Sequence, residues 1–186
     1  NLNGIRPLIS KNPLEWLLNG IGNTMMSHLL SRTLLKNRFS TIHRFMSDNS
    51  VLFTPLKIIE SDLGSVRHAM RIDAVGYNGF EEVYFSSVKK NKIKGWKKHL
   101  RMTMNLVVCS GSVKFALVCE NRIENVSLFT LSPSDNYGRL TVPPNYWVAF
   151  KGLCDENLIM NFSNLLHDPV EAINESYDSG RFAMIL

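Results

Sequence analysis

From Leu52 onward no sequence pattern persists for more than about eight residues before turn-forming residues interrupt it, and this most constrains what the chain can fold into. Alternating or short apolar runs mark candidate strands at 56–60, 66–73, 81–88, 93–100, 104–110, 113–119, 126–131, 139–142, 146–151 and 157–162. Between them stand turn signals such as Asp62 to Gly64, Tyr77-Asn78-Gly79, Ser110-Gly111-Ser112, Ser132 to Asn136 and Pro143-Pro144-Asn145. Short strands at near-regular spacing, with no long helical period among them, predict a mainly β domain that is a sandwich or barrel.

Residues 13–45 read differently. Leu14, Leu17, Leu18 and Ile21, then Met25, Met26, Leu29, Leu30, Leu34 and Leu35, recur at helical spacing, with Asn12 a cap and Pro13 a first helical residue. The expectation is a helical N-terminal extension over 1–45 that packs on the domain or on a partner subunit. An acid-poor amphipathic stretch of this kind also fits an organelle-targeting segment or a membrane-surface helix. Asn1 opens the chain and Met46 resembles a natural start, so 1–45 is read as an extension of uncertain origin and 46–186 as the domain.

The net charge of +5 resides in that leading segment, where six basic side chains face Glu15 alone. Residues 46–186 balance to zero, which argues against nucleic acid as a partner. No apolar run approaches the ~20 residues a bilayer requires, and the expected location is cytoplasmic. Cys109, Cys119 and Cys154 are odd in number and lack metal-type spacing, so they are expected to be reduced, buried thiols.

Chemistry concentrates between Lys92 and Gly111, where a basic, aromatic-bearing segment runs into an apolar strand. In an extended segment side chains alternate, so Lys97 and His99 point to one face while Trp96 and Lys98 point to the other. An ammonium and an imidazole would then share a cavity.

The ordered segments E-E-V-Y-F-S-S-V (81–88), I-K-G-W-K-K-H (93–99), N-L-V-V-C-S-G-S-V-K-F-A-L (105–117), L-T-V-P-P-N-Y-W-V-A-F (140–150) and N-F-S-N-L-L-H-D-P-V-E (161–171) resemble the RmlC-like cupins. These comprise dTDP-4-dehydrorhamnose 3,5-epimerases, dTDP-sugar 3,4-ketoisomerases and WxcM-like proteins of surface-polysaccharide pathways. The resemblance spans residues 52–172 and implies a double-stranded β-helix, the cupin jelly roll. It also implies a homodimer with a nucleotide-diphosphate sugar in the barrel mouth, and chemistry that removes and returns a proton beside a ketone.

The resemblance places the family's catalytic histidine two residues after a glycine, where this chain has Lys97; His99 occupies the second histidine position. The general cupin metal set falls on Lys97, His99, Met104 and Val148 or Ala149, leaving one imidazole of four ligands. No metal and no other cofactor is expected. The catalytic candidates are His99, Lys97 and Tyr146, with Lys94, Trp96, Arg101, Asn105, Lys114 and Trp147 as substrate-binding candidates. Each has a plainer reading: His99 as a core histidine, the aromatics as core or interface residues, and the lysines as a solvated edge. His167, Asp168, Pro169 and Glu171 read as the turn that closes the barrel. Two functions stay open, a nucleotide-sugar epimerase or ketoisomerase and a non-catalytic cupin that binds a sugar nucleotide or glycan or scaffolds its pathway.

Overall fold

The computed structural model describes residues 50–182 and 185–186. The expected helical extension, like the boundary drawn at residue 45, lies outside the described residues. Among those residues there is no helix. The strands are β1 (Leu52–Pro55), β2 (Ile58–Ser61), β3 (Gly64–Arg67), β4 (Glu82–Ser87), β5 (Ile93–His99), β6 (Met104–Ser110), β7 (Val113–Cys119), β8 (Val126–Leu131), β9 (Gly138–Val142), β10 (Tyr146–Gly152), β11 (Leu158–Ser163) and β12 (Ala172–Asn174).

Ten of these strands form two five-stranded antiparallel sheets, ordered β1-β9-β6-β11-β4 and β12-β5-β10-β7-β8, while β2 and β3 make a separate hairpin. From β4 to β12 successive strands alternate between the sheets except at β7–β8. This is the jelly-roll winding. Alternation along each strand turns Met104, Leu106, Val108, Leu140, Val142 and Ile159 of one sheet toward Val113, Phe115, Leu117 and Val148 of the other. That interior is the main core.

Each sheet also buries part of its outer face. On the second sheet Trp96, Trp147, Ala116, Val118 and Ala149 pack beneath Phe182, with Tyr177, Ile185 and Leu186 around them. On the first sheet Arg139, only 1 % exposed, donates to the carbonyl oxygens of Ala69 (3.0 Å) and Val75 (2.5 Å). The expected strand over 66–73 therefore ends at Arg67: the backbone beyond it curls to present carbonyls to a buried guanidinium, which no ladder could do. The candidate at 56–60 corresponds to β2, shifted to Ile58–Ser61, and β1 precedes it as a strand the pattern did not mark. Two cysteines depart from expectation as well, since Cys109 and Cys154 are exposed at strand ends and turns rather than buried.

Gly95 permits the tightest crossing near the site. With φ at +118°, it lies so close to β10 that an added Cβ would stand 2.5 Å from the Val148 carbonyl oxygen and 2.7 Å from Ala149 Cα. Gly64 has a similarly positive φ of +137° with nothing within 4 Å. Gly95→Ala should therefore lower unfolding free energy by about 3 kcal/mol or more, whereas Gly64→Ala should cost only the backbone strain of about 1–2 kcal/mol. Urea denaturation of the two variants measures the difference.

Candidate active site

Between the sheets the packed core gives way to a cavity of about 270 Å³. Its polar lining comprises Tyr84 and Ser86 from β4, Lys94, Lys97 and His99 from β5, Asn161 from β11 and Asn174 from β12. Leu106, Phe115, Val148, Phe150 and Ile159 supply apolar wall. Lys97 and His99 share this face because they are two residues apart on one strand, while Trp96 and Lys98 emerge on the opposite face.

His99 lies at the end of β5, opposite Ala172 of β12. Just before β12, Glu171 is 2 % exposed and its Oε2 stands 2.5 Å from His99 Nδ1. The other oxygen, Oε1, accepts the backbone N–H groups of Arg101 (2.6 Å) and Met102 (2.8 Å). Burial alone would raise the Glu171 pKa, yet the bond from His99 and these two amides together hold it below the ordinary carboxylate value of 4.5. The carboxylate is thus an acceptor, so His99 Nδ1 carries the hydrogen and Nε2 keeps its lone pair.

Burial lowers the His99 pKa below its ordinary 6.5, outweighing the opposing pull of Glu171, with the nearby charges of Lys97 and His167 also pushing it down. At neutral pH the imidazole is uncharged. Across the cavity, on the other sheet, the Tyr84 hydroxyl accepts a 2.8 Å hydrogen bond from Asn161 Nδ2. Its pKa is raised, first by desolvation and further by the charges of Glu82 and Glu171, against the lowering effect of the Asn161 bond. Tyr84 remains a phenol well above neutral pH.

The frame of two facing sheets is shared with known proteins. No family model and no curated protein matches the chain, but solved structures do. A dTDP sugar isomerase from Desulfovibrio desulfuricans G20 is 28% identical, with a TM-score of 0.68 over 72% of this chain and 88% of that one. A sugar 3,4-ketoisomerase from Thermoanaerobacterium thermosaccharolyticum, in complex with TDP, shares the fold at a TM-score of 0.58 and 18% identity, covering 66% of this chain and 86% of that one. The 3,5-epimerase RmlC from Legionella pneumophila Philadelphia 1, in complex with dTDP-4-keto-L-rhamnose, shares it at a TM-score of 0.62 and 16% identity, covering 73% and 77%. The chain has the fold of the RmlC-like cupins.

Within this cupin the residues singled out from sequence separate into two groups. Lys94, Lys97 and His99 line the cavity. Tyr146 does not; it packs against the main core from β10, and the cavity's tyrosine is Tyr84. Trp96 and Trp147 are sealed on the outer face of their sheet, 1 % exposed each, against Phe182. Lys114 also points outward and donates to the Ile185 carbonyl oxygen at 3.1 Å. Asn105 is buried on the outer side of the first sheet, its Oδ1 accepting from Thr141 Oγ1 at 2.7 Å. Arg101 lies past the end of β5 in an exposed pair with Asp168 at 3.0 Å. With Tyr146, these make six residues that do not line the cavity.

Sequence reading missed Tyr84, Ser86, Asn161, Asn174 and Glu171. The alternation of Glu82, Tyr84 and Ser86 carried a usable signal, polar groups at period two on an otherwise apolar strand. Glu171 carried none, because a 72-residue separation hides its contact with His99. The segment around it does form a turn, with Glu171 N–H donating to the Asp168 carbonyl oxygen at 3.1 Å. Among the described residues no cluster of three or more His, Cys, Asp or Glu side chains is arranged to hold a metal ion.

Two titrations follow from this electrostatic arrangement. Observed by NMR, His99 should titrate below 6.5; Lys97→Met should raise that midpoint by removing a repelling charge, and Glu171→Gln should lower it further. Both His99 and Glu171 bind fewer protons folded than unfolded. Their contribution to stability is therefore complete above about pH 6.5 and lost as the pH falls through the ranges of first the histidine and then the carboxylate, which urea titrations across pH will show.

Proposed function

We propose that this cupin epimerises or ketoisomerises a dTDP-linked 4-keto-6-deoxy sugar by moving a proton on the carbon beside the ketone, a step of surface-polysaccharide synthesis. The observation that carries the proposal is the neutral His99 imidazole, fixed through Nδ1 by buried Glu171, beside the Lys97 side chain in a cavity of about 270 Å³. A cavity near the lower end of the ~300–1,000 Å³ range of ligand sites takes a sugar ring and leaves the nucleotide to lie outward along the mouth. That solved structures of the same fold are described as dTDP-sugar isomerases and epimerases supports the choice of substrate.

In this reading His99 Nε2 removes the proton from the carbon next to the carbonyl. The C–H electron pair becomes the new C=C bond and the carbonyl oxygen takes up negative charge. Lys97 offsets that charge inside a cavity where water is scarce and such an interaction counts for more than in bulk solvent. Return of a proton to the opposite face of the same carbon completes epimerisation. Return to the former carbonyl carbon, with proton exchange between the two oxygens, completes ketoisomerisation. Tyr84, on the facing sheet and still protonated, is the acid assigned to this step, in place of Tyr146, which lies outside the cavity. Lys94 is assigned to the diphosphate. Its Nζ is only loosely tethered, 3.4 Å from the Ser87 carbonyl oxygen, and free to exchange that contact for an anion.

Incubation with dTDP-4-keto-6-deoxyglucose in deuterated water should give deuterium beside the ketone and an isomeric product. His99→Asn should reduce turnover by about 10³-fold. Binding of the sugar nucleotide without exchange would replace this reading with that of a non-catalytic binding cupin. The pH dependence of kcat/KM should show an acid limb with its midpoint below 6.5, since protonation of His99 removes the base.

A further inference from the structure

Asn161 of β11 stands 2 % exposed at the wall of the cavity, and its side chain is bonded at both ends. Its Oδ1 lies 3.0 Å from the backbone nitrogen of Asn105, a group that can only donate. This fixes which way the amide is turned. The nitrogen end, Nδ2, must then be the atom 2.8 Å from the Tyr84 hydroxyl, and a carboxamide nitrogen only donates. Tyr84 is therefore the acceptor in that bond, and its own hydroxyl hydrogen is directed elsewhere. Among the described residues no protein group accepts it, while Tyr84 itself lines the cavity.

We infer that Asn161 is a positioning residue: by donating to the Tyr84 oxygen it turns the phenolic hydrogen into the cavity, toward the substrate, and steadies the phenolate left when that proton is given up. The inference rests on the proposed proton-transfer chemistry and adds to it the device that sets the direction of the acid. The geometry is built from both sheet strands that flank Asn161, with Tyr84 from β4 on one side and Asn105 of β6 on the other. A residue that only filled space would have no reason to be a carboxamide at this point. Leucine has nearly the same volume and would satisfy the apolar neighbours Met104 and Ile159, but it would leave the Asn105 amide and the Tyr84 oxygen without their partner.

Asn161→Asp is the informative substitution. It keeps the shape and an acceptor for the Asn105 N–H, but replaces the donor facing Tyr84 by a second acceptor, which draws the phenolic hydrogen away from the cavity. Product formation should fall about 100-fold with KM little changed, the lower end of what a general acid contributes, while His99-dependent exchange of the substrate's carbon-bound hydrogen with deuterated water persists. Tyr84→Phe should give the same split, and the double variant should be no worse than either single one. Product formation by Asn161→Asp close to the wild-type rate, or losses that multiply in the double variant, would overturn the inference. Absence of exchange in the wild-type protein would instead overturn the proposed function, so the two failures are distinct. Should Asn161→Asp fold poorly, NMR of the Asn161 side-chain amide gives an independent reading: its resonances should shift in Tyr84→Phe and stay put in Lys97→Met, and an unmoved signal in Tyr84→Phe contradicts the inference.

Discussion

A carboxylate removed from water in a protein interior costs several kcal/mol unless donors replace its hydration, and Glu171 receives three, one from His99 and two from the backbone of the loop after β5. The arrangement requires the chain to leave β11, turn at Asp168 and come back along β5 as the short strand β12. Reciprocal backbone bonds between Trp96 and Glu175, 2.8 and 2.9 Å, fix that return. The Glu171 backbone joins in, its carbonyl oxygen accepting from Leu100 N–H at 3.0 Å. The tautomer of His99 and the lone pair it offers at Nε2 depend on this one pairing, while its neutrality comes from burial, which outweighs the pull of Glu171.

Strand β5 serves two interiors at once. Lys97 and His99 face the cavity, while Trp96 and Lys98 between them face the aromatic layer capped by the C-terminal segment. Lys98 binds Glu120 at 2.8 Å and lies 4.9 Å from the centre of the Trp147 ring. Arg181 binds the same Glu120 and also Glu175, which ties the segment following β12 to the sheet it covers. The aromatic layer that excludes water from one face of β5 thus helps to hold β12, and with it Glu171, against the other face.

Local pattern made much of this fold readable. Eight of the expected strands, from 81–88 through 157–162 apart from their exact ends, follow from alternation and turn residues, because strand periodicity is a local property. The shared face of Lys97 and His99 is legible for the same reason. By contrast Trp96, Trp147 and Lys114 looked suited to a ligand by residue type, yet alternation sorts only the residues of one strand between its two faces and does not say whether a face meets a cavity or a covering segment. Tyr146 and Tyr84 are chemically equal in the sequence. What separates them is that β10 carries Tyr146 into packed core, whereas β4 carries Tyr84 to where the core opens.

The sequence by itself determined the strand pattern and the side on which each β5 residue emerges, since both depend on neighbours along the chain, and its ordered motifs carried the resemblance that implied the cupin winding. Only the tertiary structure decided which face of each sheet encloses a cavity, which tyrosine reaches it, and that Glu171 orients the imidazole. Those are contacts between strands far apart in sequence. Their distances are fixed by how two sheets pack and how the last strand returns, and no local spacing encodes them.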